Sequence, residues 1–250
     1  MTLFELCDHF QLPLSARVDQ RVPKKLLVEN SATTSAGKRQ INEGIEELLW
    51  IAVLKPNTIG VAEYRDTVRE YLEIAVLSLT LRMDAKTERL VSLIHRAIPY
   101  PLLLITEQLD HLTLSAAHKR WSQSESGKMV LDDAVTLCDL VEHATVEVFL
   151  DSLSLALQPR AHLLDLYQGW INCMEAFQAA QITGRFAPST SSETATARRE
   201  ALEEYDRLTR QIANLRAQAE RESQINRRCE LNLEIKRFEA EMVYAVKRMT

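Results

Sequence analysis

The terminal part of the chain, residues 198–250, contains neither glycine nor proline, and apolar residues recur along it at helical spacing. Spacings of three and four residues predict helices of coiled-coil type. The two apolar series are out of register, because twelve residues separate Ala219 from Leu231. We therefore expect either one long helix with two differently directed stripes or a hairpin of two helices, and such stripes need a partner. The recurring residues are Tyr205, Leu208, Ile212, Leu215 and Ala219, then Leu231, Ile235, Phe238, Met242, Ala245 and Met249.

The charge of the chain is unevenly distributed. The net charge is -5, but residues 198–250 hold 12 Lys+Arg against 10 Asp+Glu, and the remainder holds 18 against 25. This balance argues against coating by nucleic acid and leaves a modestly basic arm on an acidic body. The first residues are acidic where a signal peptide is basic, and no apolar run approaches the ~20 residues that span a bilayer. We expect a cytoplasmic protein that does not bind membranes.

The body of the protein has the pattern of a small sheet with flanking helices. Residues 35–121 predict helix, strand, strand, helix, strand and strand in that order. The first helix is predicted over residues 37–48, and Trp50–Leu54 is predicted as a buried strand. We expect an α+β fold with an antiparallel or mixed sheet and helices on one side. The predicted organisation is a globular body at 1–183, a linker at 184–197 and a helical arm at 198–250.

A polar stretch interrupts the two apolar series of the arm. One interpretation of this stretch is a solvated helix surface with intrahelical ion pairs. The alternative is a surface that binds a partner or nucleic acid, because arginine and asparagine form bidentate hydrogen bonds with carboxylates, phosphates and base edges. The candidate residues are Gln224, Asn226, Arg227, Arg228 and Asn232.

Two basic pairs in the body are further candidates for contact with a nucleic-acid backbone. They are Lys24–Lys25 and Lys119–Arg120, the second next to Trp121 at the end of a predicted strand. Ordinary charges at the ends of strands are the alternative interpretation of both pairs.

Motifs for catalysis, metal binding and cofactor binding are missing from the sequence. The four cysteines and six histidines have no metal-ligand spacing, and no phosphate-binding glycine loop is present. We therefore expect no enzymatic activity, no metal and no cofactor. The alternative is a metal-dependent nuclease with a degenerate motif that uses Glu73 and Asp84, although Asp84 is also placed to cap a helix.

The polar stretch Glu222–Asn232 resembles the C-terminal helix of a bacterial family, domain-of-unknown-function family 4391. The segments Val22–Lys25 and Ala97–Pro101, and Trp50 with Leu54, match the same family in order. The family has a strand that ends in a Tyr-Lys pair, where this chain has His118-Lys119, and Ser223 stands where a lysine is usual.

The resemblance implies an accessory protein of restriction or antiphage systems, whose genes often neighbour those of helicases and DNA methyltransferases. We therefore expect a non-enzymatic subunit that docks a helicase or methyltransferase through its body and terminal helix. Self-association through the arm, and a DNA-binding module with strongly salt-dependent affinity, are the open alternatives.

Overall fold

The computed structural model describes residues 1–31, 34–125 and 127–250. It divides into two compact units, Met1–Met174 and Glu175–Thr250. Ala32, Thr33 and Ser126 of the predicted body lie outside the described residues. No helix in the described ranges combines the length and apolarity needed to cross a bilayer.

The first unit contains a six-stranded mixed sheet with the strand order β1-β2-β5-β6-β7-β10. Only β5 and β6 pair in parallel, and the other neighbours are antiparallel. Two further antiparallel pairs, β3–β4 and β8–β9, lie outside this sheet. The strands are β1 (Arg17–Arg21), β2 (Ile45–Leu54), β3 (Tyr64–Arg65), β4 (Glu70–Tyr71), β5 (Ile74–Leu81), β6 (Leu102–Gln108), β7 (His111–Ala117), β8 (Lys119–Trp121), β9 (Met129–Leu131) and β10 (Thr136–Asp139).

Helices surround this sheet and form most of the second unit. The parallel β5–β6 pair requires a crossover, which one helix, α5, supplies. Together with the mixed sheet, this confirms the predicted α+β class. The α-helices are α1 (Leu3–His9), α2 (Lys24–Ser31), α3 (Ser35–Gly44), α4 (Pro56–Ile59), α5 (Thr87–Ala97), α6 (Val146–Ser152), α7 (Leu163–Thr183), α8 (Ser192–Arg221) and α9 (Ile225–Arg248), with 3-10 turns at Leu14–Ala16 and Leu155–Leu157.

Both faces of the sheet are buried, so the expectation of helices on one side is wrong. On one face, Leu77 and Leu104 pack with residues of α2, α3 and α5. On the other face, Val76 and Leu103, which alternate with them along β5 and β6, are also fully buried. Near this second face, Tyr167 of α7 bonds to backbone groups at the ends of β6 and β7.

The predicted order of elements over residues 35–121 is found in the longer elements α3, β2, β5, α5, β6 and β7, whereas the short elements α4, β3, β4 and β8 in the same range were not predicted. The boundary of the first helix is wrong, because α3 ends at Gly44 and Ile45 already belongs to β2. The start of the second helix also differs from the expectation that Asp84 caps it. Lys86 occupies the N-cap position of α5.

The second unit resolves the choice between a rod and a hairpin in favour of the hairpin. The helix α8 ends at Arg221, α9 begins at Ile225, and the chain reverses between them. Buried Leu208 and Ile212 of α8 and buried Leu231 and Ile235 of α9 belong to the two predicted apolar series. The register slip therefore marks a reversal, which places the two stripes against each other.

Ion pairs confirm that α8 and α9 run antiparallel. Arg216 of α8 lies 2.7 Å from Glu239 of α9, and Glu200 lies 3.0 Å from Arg248 near the opposite ends of the helices. The helix α8 begins at Ser192, so the last six residues of the predicted linker 184–197 are helical.

Candidate functional site

The five polar residues predicted on the arm surround the beginning of α9. All five are exposed, with Gln224 at the N-cap position and the other four in the first two to three turns. We call Glu222–Asn232 the tip of the hairpin. The side chain of Arg227 bonds to Glu230 over 3.0 Å, which is an exposed intrahelical pair of the kind expected for a solvated surface.

The basic pair Lys24–Lys25 is divided between the interior and the surface. Half-buried Lys24 donates from Nζ to the carbonyl oxygens of Asn42 and Ile45 at the C-terminal end of α3. Burial is the main cause that lowers the pKa of Lys24. Lys25 is exposed and lies 3.7 Å from Glu29. Lys24 therefore has a structural role in capping a helix.

The second basic pair, Lys119–Arg120, is also largely buried. Arg120 is half-buried and its Nε lies 3.1 Å from Asp132, which also accepts a hydrogen bond of 2.8 Å from Arg69 Nε. Lys119 is only 2% exposed and therefore does not form part of an exposed basic surface. The structure does not bring Lys119 and Arg120 together with Lys24 and Lys25 as one patch.

Lys119 instead lies at the floor of a cleft in the first unit. The cleft has a volume of about 780 Å³ and runs between α5 and the segment 128–137, which includes β9. Its walls are largely apolar and its rim carries charges of both signs. The apolar lining comes from Met129, Val130, Leu131, Val135 and Leu137, and the charged rim from Glu88, Arg96, Lys128 and Asp133.

The ammonium of Lys119 closes the C-terminal end of α5. Its Nζ donates to the carbonyl oxygens of His95 and Ile98, in the last turn and at the C-cap of that helix. A cation is favourable there, because the unpaired carbonyls concentrate negative partial charge. Burial nevertheless disfavours the charged form and lowers the pKa of Lys119 to about 7.

His95 is the second polar group of the cleft floor. It is fully buried, and its Nε2 lies 3.0 Å from Ser115 Oγ. Its Nδ1 has no hydrogen-bond partner among the described residues. Burial first, and the charge of Lys119 second, lower the pKa of His95 to about 3, so this imidazole is neutral near pH 7.

A chain of hydrogen-bonded polar side chains, buried at one end and half-buried at the other, lies next to Lys119. The Oη of Tyr71 lies 2.5 Å from Nδ1 of His118, and Nε2 of His118 lies 2.7 Å from Oε1 of Gln168. Gln168 in turn donates to Asn172 over 2.9 Å. These hydrogen bonds fix the junction between β7 and β8, which carries Lys119.

The nuclease alternative needs Glu73 and Asp84 in one site, and the structure separates them. Glu73 precedes β5 and pairs with Lys55 over 2.7 Å, whereas Asp84 follows the other end of the strand. Eight residues of strand span roughly 25 Å at about 3.3 Å per residue, so the two carboxylates do not share a metal ion. Among the described residues, no three His, Cys, Asp or Glu side chains are grouped to hold a metal ion.

The sequence did not reveal the cleft, although one signal for it was present. Lys119 continues the alternation of Thr113, Ser115 and Ala117, which face the interior from β7. A lysine in a buried position of a strand is uncommon unless a partner receives its charge. The sequence gives no comparable signal for His95, because its spacing from the apolar residues of the same helix is ordinary.

Comparison with protein families gives a match over most of the chain. The family model described as a domain of unknown function, DUF4391, matches residues 10–242. No curated protein and no solved structure matches the chain significantly. Since the family model covers most of the sequence and includes both the cleft and the tip, the chain belongs to the DUF4391 family.

Proposed function

We propose that this protein is a non-enzymatic accessory subunit of a restriction-type or antiphage complex, which docks a helicase or DNA methyltransferase. The observation that supports a docking role is a second apolar stripe on α9. The hairpin buries one stripe of α9 and leaves the other in solvent. We call the second one the outer stripe, formed by Cys229, Leu233, Ala240 and Tyr244.

The outer stripe lies opposite the buried one. At 3.6 residues per turn, its four positions fall within about 60° of one another and on the side opposite Leu231 and Ile235. Leu233 is 68% exposed and Tyr244 is 67% exposed. Large apolar side chains on the same exposed helix face favour a further helix as the covering element.

The charges beside the outer stripe define the partner helix. Lys236, Arg237 and Lys247 lie on the same side of α9 and are exposed. Arg237, Ala240 and Tyr244 also line a groove of about 770 Å³, where Arg237 pairs with Glu241 over 3.1 Å and the other charged residues are Glu200, Glu204 and Arg248. Lys236 and Lys247 therefore favour an amphipathic helix with acidic residues beside its apolar stripe.

The resemblance to the family provides the identity of the partner, and the hairpin provides the surface. A helicase or methyltransferase encoded beside this chain supplies the acidic amphipathic helix in this proposal. In this proposal the predicted body, residues 1–183, contributes a second docking surface. Direct contact of the tip with DNA is the remaining part of the proposal, through Gln224, Asn226, Arg227, Arg228 and Asn232.

Substitution of the outer stripe tests the docking role. We expect Leu233→Asp with Tyr244→Asp to reduce retention of the co-expressed helicase or methyltransferase at least about tenfold, because charge replaces the apolar anchors. The hairpin should still fold, since both side chains are exposed. The measurement is co-purification on a tagged chain, followed by quantification of the partner.

Leu14→Asp is the matched control, because Leu14 is 91% exposed and lies in the body. It makes the same chemical change outside the hairpin and should retain the partner. Full retention by the doubly substituted hairpin would contradict the proposal. A dimer in light scattering that Leu233→Asp converts to a monomer would assign the stripe to self-association instead.

Charge reversal at the tip is a separate prediction. Arg227→Glu with Arg228→Glu should leave the unfolding transition unchanged within about 0.5 kcal/mol, because exposed intrahelical pairs contribute little. Retention of the partner, or affinity for duplex DNA at low salt, should fall. Unchanged binding of both would remove the tip from the interface. Arg207→Glu with Arg210→Glu, on exposed positions of α8, is the control.

A further inference from the structure

The floor of the cleft in the first unit has unused hydrogen-bonding capacity. An ammonium group has three N–H donors, and Lys119 donates to two carbonyl oxygens, of His95 and Ile98. His95 Nδ1 is buried without a partner among the described residues. A polar atom left unpaired in the interior is costly, so a ligand that satisfies it gains affinity.

The unused groups favour an acceptor. When Ser115 Oγ donates to Nε2 of His95, Nδ1 carries the ring proton and becomes a donor. The floor then presents N–H groups of both Lys119 and His95. Both residues line the cleft, and Lys119 Nζ donates to the backbone carbonyl oxygen of His95. Two neighbouring donors, one of them cationic, suit the two oxygens of a carboxylate.

The walls limit the ligand further. Met129, Leu131, Val135 and Leu137 give the cleft an apolar lining, which would leave a fully hydrated inorganic anion without compensation. The volume of about 780 Å³ lies within the range of roughly 300–1,000 Å³ typical of small-molecule sites. A ligand with an apolar body and one anionic end therefore complements both the apolar walls and the polar floor of the cleft.

We propose that this cleft binds a small organic acid, whose carboxylate is received by Lys119 and His95 and whose apolar part packs on the walls. The inference concerns the first unit and does not rest on the docking role of the hairpin. The rim is balanced, with Arg96 and Lys128 against Glu88 and Asp133, so the preference for an anion comes from the ammonium of Lys119 at the floor.

Calorimetric titration of the chain of residues 1–250 with sodium hexanoate tests the site. We expect saturable binding of one hexanoate per chain at about pH 6.5, where Lys119 is largely charged. Sodium phosphate at equal ionic strength should not compete. Lys119→Met should weaken hexanoate binding at least about tenfold, because it removes the charged donor. Lys25→Met removes an exposed lysine and is the control.

A second variant avoids the helix cap altogether. Ala134 is exposed on the lining of the cleft, and Ala134→Trp should fill the space without touching Lys119. We expect the same loss of hexanoate binding and an unchanged unfolding transition. Absence of saturable binding to the wild-type chain would overturn the proposal. Binding that survives both Lys119→Met and Ala134→Trp, or equal binding of phosphate, would overturn it as well.

The pH dependence provides an independent measurement. Hexanoate affinity should fall as the pH rises above about 7, because the ammonium is lost and hexanoate is already ionised. His95 stays neutral over this range, since its pKa lies at about 3. An affinity that does not change with pH would contradict the role of Lys119. The other charged groups that face the cleft are Glu88 and Arg96 on α5, and Lys128 and Asp133 beside β9.

Discussion

Wild-type protein should gain stability between about pH 7 and about pH 9, relative to Lys119→Met. Burial holds the pKa of Lys119 at about 7 in the folded protein, whereas an unfolded lysine has a pKa of 10.5. Between these values the unfolded chain binds more protons than the folded chain, so the free energy of unfolding rises with pH. The slope approaches about 1.4 kcal/mol per pH unit, and the total gain amounts to a few kcal/mol.

Urea titrations at several pH values, followed by tryptophan fluorescence, measure this difference. All three tryptophans, Trp50, Trp121 and Trp170, lie in the first unit, so the signal reports the unit that contains Lys119. Subtracting the Lys119→Met curve cancels the buried thiols and phenols, which also titrate at high pH. Lys25→Met should show the wild-type slope. Parallel curves for wild type and Lys119→Met would mean that the buried amine does not change its protonation.

Tyr167→Phe should destabilise the first unit by about 2–5 kcal/mol, although the ring is retained. The Oη of Tyr167 donates to the carbonyl oxygen of Leu102 over 2.7 Å and accepts from the backbone N–H of Ala117 over 2.9 Å. Leu102 and Ala117 are partners across the β6–β7 pair. Removing one oxygen leaves both backbone groups buried without their partner.

Thermal unfolding of Tyr167→Phe, again followed by tryptophan fluorescence, measures the effect. Tyr244→Phe makes the same chemical change at an exposed position of the hairpin and should not alter the transition of the first unit. If the unfolding transition of Tyr167→Phe shifts no more than that of Tyr244→Phe, then water replaces the phenol oxygen. Loss of this bond also loosens the end of β7, two residues before Lys119.

The sequence predicted the order of the central elements but not the end of α3. Ile41, Ile45 and Leu48 have helical spacing, yet Ile45 and Leu48 belong to β2. Gly44 ends the helix, and a Cβ at this position would lie 2.7 Å from Cδ1 of Leu90. That close approach involves a residue 46 positions away, so only the folded chain reveals why glycine stands there.

The hairpin was only partly predictable for a related reason. Glu222, Ser223 and Gln224 make the reversal without glycine or proline, the residues that usually mark a turn. The register slip was the sole local signal, and it fits a rod as well as a hairpin. The choice between rod and hairpin depends on tertiary packing, in which Leu208 and Ile212 of α8 are buried in the same hairpin as Leu231 and Ile235 of α9. Local periodicity does not determine such burial.

The candidate cleft escaped prediction because its groups come from distant segments. In the sequence, Lys119 is a cation close to the aromatic residue Trp121, a pattern that favours contact with a nucleic acid. Its actual neighbours are carbonyl oxygens at the end of α5, more than twenty residues earlier. A strand that supplies a capping side chain to a distant helix contains no sequence motif for that role.

The distribution of thiols gives the native chain a built-in attachment point for a reporter group. Cys7, Cys138 and Cys173 are buried, and burial raises the pKa of each of these thiols. Cys229 is exposed and belongs to the outer stripe. A maleimide dye therefore reacts at the surface proposed to meet a partner, without engineered cysteines. The emission of the attached dye then reports whether this surface is exposed to solvent or covered by a partner.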